Sequence, residues 1–98
     1  MSGLYLGAVH FDGDPDVLLP GYHRLSERFP IETLDLHVSV RRDDGITIYD
    51  ACPTREIFDD FTTGETFLGA VAEAGLPVPR VEGLGVVQVA HVREEARR

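Results

Sequence analysis

The chain has one cysteine, no tryptophan, and only nine basic residues against seventeen acidic ones. A single cysteine cannot form an internal disulfide, and the sequence does not open with a secretory leader pattern, so we expect a reducing cytoplasm. Its apolar runs are all shorter than the roughly 18 residues that a membrane-spanning helix needs, so we expect no membrane partner. A formal charge of −8 repels phosphate backbones, which argues against nucleic acid as a partner.

The length of 98 residues is that of a single domain. We expect residues 1–93 to form this domain and residues 94–98, at the charged end of the sequence, to form a flexible tail. The sequence contains no glycine-rich phosphate-binding motif, no Gly-x-Ser-x-Gly nucleophile motif and no Cys-x-x-Cys pair. We therefore expect the protein to use no cofactor.

Short apolar runs at residues 4–11 and roughly 85–92 predict the first and last strands. Asp14 followed by Pro15 predicts the start of a helix, because a capping side chain and a proline at the first helical position are typical of helix N-termini. Pro30 ends this helix. Its apolar face consists of residues at spacings of four, three and four: Leu18, Tyr22, Leu25 and Phe29.

The stretch LDLHVSVRRDDGITIYDACP, residues 34–53, predicts a β-hairpin. Its first arm alternates polar and apolar residues, and Asp44-Gly45 is a strong hairpin signal. Thr54 then caps a second helical region, which Thr62-Thr63-Gly64 interrupts and Gly75 ends.

The resulting order of elements is β-α-β-β-α-β. Right-handed crossovers give a four-stranded antiparallel sheet of order 4-1-3-2 with two helices on one face, which is the α+β, ferredoxin-like sandwich. The other face would be bare and apolar, so we expect a homodimer that covers it. The apolar residues expected on this face are Leu6, Ala8, Ile46, Ile48 and Val87.

The length of the hairpin loop decides which side chains share a face. A loop of two or four residues brings His37 and Ser39 to the face of Asp50 and Cys52, whereas a three-residue loop brings odd positions of the second arm there. We favour the even loop, because it gathers one apolar set against the helices: Leu36, Val38, Val40 and Tyr49. The predicted site then lies on the face away from the helices, beside Leu6, Ala8 and His10. The last strand adds either Val87, Val89 and His91 or Val86, Gln88 and Ala90.

His37 is the first candidate for an acid–base residue, with Asp50 across the hairpin fixing its tautomer. The alternative is a strand histidine that is hydrogen-bonded at a wet dimer interface. His10 is a second catalytic candidate. Three further residues are candidates for contact with a substrate: Ser39, Cys52 and Tyr49. Cys52 could act as a nucleophile if a neighbour lowered its pKa, but a lone strand cysteine is more often a small buried residue. Tyr49 also suits the core.

A metal site is not expected. His10, His37 and His91 come from three different strands, and Asp50 from a fourth, without the short local spacings that make metal motifs specific. We interpret the histidines as acid–base or hydrogen-bonding groups.

The segment HVSVRRDDGITIYDACPTREIFDDF resembles the hairpin and following helix of the dimeric α/β-barrel superfamily, which includes antibiotic-biosynthesis-type monooxygenases, muconolactone isomerases and stress-responsive barrel proteins. In that family the third strand often ends in Trp-Glu-Ser, where this chain has Cys52-Pro53-Thr54. The resemblance implies a homodimer whose sheets pack face to face into a barrel, with a pocket inside the barrel or between each sheet and its helices.

Two classes of function follow. The first is a small cofactor-independent monooxygenase, isomerase or cyclase that acts on a hydrophobic small molecule and uses His37 to move a proton. The second is a non-catalytic barrel that binds a small ligand or serves in assembly or stress response. Ferredoxin-like scaffolds host many activities, so the fold alone favours neither class.

Overall fold

A computed structural model describes residues 3–93, and the expectation of a flexible tail at residues 94–98 falls outside them. A short 3-10 turn lies between the first helix and the second strand. The elements in chain order are β1 (Tyr5–Asp12), α1 (Pro15–Arg28), the 3-10 turn (Ile31–Thr33), β2 (Leu36–Arg42), β3 (Gly45–Cys52), α2 (Arg55–Thr63), α3 (Glu65–Glu73) and β4 (Arg80–Val86).

The four strands form one antiparallel sheet of order β2-β3-β1-β4, which is the predicted order 4-1-3-2 counted from the other edge. Apolar residues of α1 and α3 pack on Val9 and Phe11 of β1 and on Ile46 and Ile48 of β3, and these residues form the core. The chain therefore has the expected ferredoxin-like α+β arrangement, with its helices on one face of the sheet. Among residues 3–93, none of the helices is long and apolar enough to cross a membrane.

Helix α1 begins as the sequence predicts. The Asp14 side chain accepts a hydrogen bond of 2.9 Å from the backbone N–H of Asp16, and Pro15 occupies the first helical position. Leu18, Tyr22 and Leu25 are buried, and the helix ends at Arg28.

The second helical region is divided as expected. The Thr54 hydroxyl accepts a hydrogen bond of 3.1 Å from the N–H of Ile57 and caps α2. Gly64 has an extended backbone and separates α2 from α3. The sheet face is therefore covered by three helices rather than the two that we expected.

The position of β4 differs from the prediction. The strand spans Arg80–Val86 rather than residues 85–92, because its pairing partner β1 reaches its first residue at the Tyr5–Val86 pair. One further backbone bond joins the Val87 N–H to the Leu4 carbonyl at 2.7 Å, and the described chain after it is not in a strand. Val87, Val89 and His91 therefore do not join His37 on a sheet face.

The hairpin confirms the even loop but not the face that we assigned to it. Two residues, Asp43 and Asp44, connect the paired Arg42 and Gly45, and His37 lies opposite Asp50. This shared face is the helix-covered one, because Ile46 and Ile48 of the same face belong to the core. Four apolar residues that we expected against the helices therefore lie on the other side of the sheet: Leu36, Val38, Val40 and Tyr49. We call that uncovered side the open face.

Candidate functional site

A pocket lies between the sheet and the helices, where β2 begins, β3 ends and α1 ends. Its volume is about 50 Å³, which is room for a few water molecules. The polar side chains that line it include Tyr22, His37 and Asp50. Most of its remaining wall is apolar and includes three phenylalanine rings: Phe29, Phe61 and Phe67. We call this space the helix-side pocket.

A second pocket of about 140 Å³ lies beside the first and shares part of its wall. Asp50, Phe61 and Phe67 line both spaces, and Cys52 and Phe58 line only the second. Phe61 is a residue of α2 and is 39% exposed, so it is less enclosed than Phe67, the other shared aromatic residue. The two pockets are therefore neighbours with a common aromatic wall.

Three polar side chains from three elements form a hydrogen-bonded series in the helix-side pocket. Asp50 of β3 lies directly across the hairpin from His37 of β2, and its Oδ1 is 2.7 Å from His37 Nδ1. Tyr22 comes from the buried face of α1, and its hydroxyl is 2.7 Å from His37 Nε2. The Tyr22 and His37 rings lie nearly parallel, at 13° between planes and 6.0 Å between centroids.

The chemistry of the three groups assigns their protons. An ionised carboxylate can only accept, so His37 Nδ1–H donates to Asp50. In the neutral imidazole Nε2 is then an acceptor, and the Tyr22 O–H donates to it. The His37 side chain is only 11% exposed and that of Asp50 26%, so water screens their contact weakly. This arrangement resembles the one in which a carboxylate orients a histidine and stabilises its protonated form.

His10 lies on the open face, away from His37. Its Nδ1 is 2.9 Å from the Thr47 hydroxyl and its Nε2 is 3.1 Å from Glu82 Oε1. Because the Glu82 carboxylate can only accept, Nε2 of His10 carries the proton, and in the neutral ring the Thr47 hydroxyl donates to Nδ1. The sequence prediction of one site containing both histidines is therefore wrong, and the two rings favour opposite tautomers.

The predicted substrate-contact residues are dispersed. Ser39 shares the helix-covered face with His37 but is exposed and does not line the helix-side pocket. Tyr49 lies on the open face. Cys52 lines the second pocket, where burial, together with the charges of Asp50 and Asp35, raises the pKa of its thiol. A raised pKa keeps the thiol protonated near neutral pH, which disfavours a role as a nucleophile.

Within residues 3–93, no group of three or more His, Cys, Asp or Glu side chains is placed to hold a metal ion. His10 and His37 occupy opposite faces of the sheet, and His91 is an exposed residue beyond β4. Of the four residues weighed as metal ligands, His10, His37, Asp50 and His91, the structure brings together His37 and Asp50 alone.

Tyr22 is the site residue that the sequence analysis placed in the apolar core without a role. Its position in the apolar stripe of α1 is compatible with a purely structural residue, and it is 8% exposed. The available signal was chemical, because a buried tyrosine hydroxyl usually has a hydrogen-bond partner. The partner could not be identified until His37 was known to face the helices.

Neither a comparison with protein-family models nor a search of curated proteins finds a match for this chain.

Proposed function

We propose that this protein is a cofactor-independent acid–base enzyme that acts on a hydrophobic small molecule, and that His37 supplies the proton-transfer group. The observation that carries this proposal is the placement of His37 between Asp50 and Tyr22 at the wall of a largely apolar pocket. Histidine is the side chain that most often transfers protons in enzymes, and the Asp50 Oδ1 lies 2.7 Å from His37 Nδ1. Isomerisation, cyclisation and cofactor-independent oxygenation are the reaction types in range, since each can begin with removal of a proton.

The pocket walls favour a flat, apolar substrate. Phe29, Phe61 and Phe67 have ring centroids 4.9–6.2 Å apart, which is the range of favourable aromatic contacts. A volume of about 50 Å³ is smaller than the roughly 300 Å³ of a typical ligand site. The second pocket of about 140 Å³ shares the Phe61 and Phe67 wall, and the proposed substrate occupies both spaces.

A non-catalytic ligand-binding or assembly barrel is the second candidate. It is favoured by one observation: both ring nitrogens of His37 already have partners within the chain, as they do in a purely structural network. Under either function, the resemblance to dimeric α/β barrels implies a homodimer formed through the open face.

Proton removal can be tested without knowing the natural substrate. We would incubate the protein in D₂O with a panel of aryl ketones and hydroxyarenes of one to three rings, follow loss of acidic C–H signals by proton NMR, and measure oxygen uptake. We expect the wild type to accelerate one of these reactions and His37→Gln to lose roughly 10²–10⁴-fold of the acceleration. His91→Gln, which changes an exposed histidine beyond β4, is the matched control and should retain it.

The outcomes separate the candidates. Loss of activity in His10→Gln with retention in His37→Gln would move the chemistry to the open face and overturn the proposal. Panel compounds that bind the wild type, shift the His37 imidazole signals and do not react would favour the second candidate instead.

A further inference from the structure

We propose that the Tyr22 hydroxyl is the group that exchanges the proton with the substrate, and that His37 and Asp50 act through it. The inference rests on the proposed acid–base function and adds to it a catalytic residue, a proton path and a substrate class.

The hydrogen bonds of His37 use both of its ring nitrogens. Nδ1 bonds to Asp50 at 2.7 Å and Nε2 bonds to Tyr22 at 2.7 Å. These contacts suit both protonation states, since a protonated Nε2–H can donate to the tyrosine oxygen as readily as Nε2 accepts from it. A substrate can therefore reach a His37 nitrogen only by displacing Tyr22 or Asp50.

The Tyr22 oxygen has capacity left. The hydroxyl donates its single hydrogen to His37 Nε2, and its oxygen retains lone pairs that can accept a proton. Its residue lines the helix-side pocket together with His37 and Asp50. Tyr22 is also held firmly, because its ring is buried in the core and lies nearly parallel to the imidazole. The relay requires this hydroxyl to be the contact point between the pocket and the histidine.

Proton removal then proceeds as a two-proton relay. The substrate C–H or O–H bond breaks, its proton forms a bond to the Tyr22 oxygen, and the electron pair stays on the substrate. In the same step the original tyrosine proton moves to His37 Nε2. The result is a neutral tyrosine, an imidazolium paired with the Asp50 carboxylate, and a substrate anion, so charge and atoms balance without an oxidant or reductant. Reversal of the relay returns a proton to the substrate.

The relay specifies the class of substrate. After transfer the Tyr22 O–H faces the substrate anion, where it can stabilise an enolate or phenolate oxygen as an oxyanion donor does. The described residues that line the helix-side pocket include the Asp50 carboxylate and neither arginine nor lysine, so a substrate that is already anionic would be repelled. We therefore infer a neutral aromatic carbonyl compound or phenol, which becomes anionic only when His37 is protonated.

Tyr22→Phe tests the relay, because it removes one oxygen and keeps the ring. In the proton-exchange assay, we expect this variant to lose activity by roughly 10²–10⁴-fold, as His37→Gln does. Tyr5→Phe is the matched control, since Tyr5 also faces the helices but does not line the helix-side pocket. If Tyr22 only positioned the imidazole, its removal would expose Nε2 to the substrate, and activity would stay within a few-fold of the wild type or rise.

A binding measurement tests the contact independently of turnover. The probes are 2-naphthol and 2-naphthoate, which have the same ring system but differ in charge at neutral pH. We expect the wild type to bind naphthol more tightly than naphthoate, and Tyr22→Phe to weaken naphthol binding by about 3–10-fold, the usual effect of one hydrogen bond. His37 imidazole ¹⁵N signals should still show Nδ1–H bonded to Asp50 in the variant, which verifies that the pocket is intact.

The two proposals fail in different ways. A wild type that is inactive on the whole panel overturns the acid–base function, whereas an active wild type with an active Tyr22→Phe and an inactive His37→Gln overturns only the relay. Equal naphthol affinities in the wild type and Tyr22→Phe would also contradict a substrate contact at Tyr22.

Discussion

At the end of β1, the Asp12 carboxylate lies between two guanidinium groups. Arg80 donates to it from Nε at 2.6 Å and from Nη2 at 3.0 Å, and Arg42 donates from Nη2 at 3.2 Å. The Arg80 hydrogen bond, followed by that of Arg42 and the charges of both groups, lowers the pKa of Asp12 from 3.8 to about 2. This group of side chains ties the end of β1 to the start of β4 and the end of β2.

The direction of this pKa shift predicts a pH dependence of stability. Because the folded-state pKa is below the unfolded value, the charged carboxylate stabilises the fold above about pH 4, and this contribution disappears as the pH falls through 2. Asp12→Asn should therefore lower the free energy of unfolding at pH 7 and make little difference at pH 2. Urea unfolding at both pH values measures this.

The pair can be checked with a double-mutant cycle. In an Arg80→Gln background, Asp12→Asn should cost less stability than it does in the wild type, since the main partner is already absent. Equal costs in the two backgrounds, or a cost of Asp12→Asn that does not change with pH, would contradict the assignment.

At the scale of elements, the contact of β1 with α2 depends on a residue without a side chain. Gly7 faces the ring of Phe58, and a methyl group added to Gly7 would overlap that ring. Phe58 is only 1% exposed and cannot move aside freely. We expect Gly7→Ala to destabilise the protein by about 1–3 kcal/mol, the usual cost of overpacking a core, which denaturant unfolding would show as a lower midpoint.

The same substitution in α3 is the control. Gly69 is exposed within the helix, and an added methyl group would meet no atom within 4 Å. Alanine has a higher helix propensity than glycine, so Gly69→Ala should stabilise the protein by up to about 1 kcal/mol. If Gly7→Ala and Gly69→Ala changed the free energy of unfolding in the same direction, the close contact of Gly7 with Phe58 would be contradicted.

The sequence predicted elements well where local chemistry determines them. The cap at Asp14, the interruption at Gly64 and the two-residue hairpin loop all depend on neighbouring residues, and all are found. The predicted position of β4 was wrong because the end of this strand is determined by its pairing with β1, which is distant in the sequence. β1 reaches its first residue at Tyr5, and Val89 and Val92 lie beyond the Tyr5–Val86 pair, outside the strand.

The orientation of the hairpin could not be derived from its own alternation. β3 carries apolar residues on both faces, so its own pattern does not orient the hairpin, and the apolar set of β2 wrongly favours the helix side. The decisive fact is the long-range register, which pairs Phe11 with Ile46 and Val9 with Ile48 and places those residues in the core. His37 follows them inward because Asp50 and Tyr22 satisfy both of its ring nitrogens. The sequence thus predicted the His37–Asp50 pair but not its surroundings.

At the scale of the whole molecule, the open face is the large surface that the helices leave uncovered. The two valines of β2 on this face, Val38 and Val40, are 40% and 38% exposed. At one end of the face the charged groups are already paired within the chain, through contacts of His10 with Glu82 and of Arg80 with Asp12. A second copy could therefore cover the apolar part without leaving these charges unpartnered. The apolar residues of the face include Leu6, Ala8, Leu36, Val38, Val40, Tyr49 and Ala51.

We predict that the protein is a homodimer through the open face and that charges introduced there make it monomeric. The double substitution Val38→Lys and Val40→Lys should leave the fold of one chain intact, because both side chains already reach solvent. In a dimer it would bury four uncompensated charges, which is strongly unfavourable. Light scattering at micromolar concentration should show twice the mass of one chain for the wild type and one chain for the variant, with unchanged circular dichroism. Val17→Lys, at a 72% exposed position of α1, is the matched control and should remain dimeric. A wild type that is a stable monomer would contradict the prediction, and a double variant that stays dimeric would move the interface to another surface.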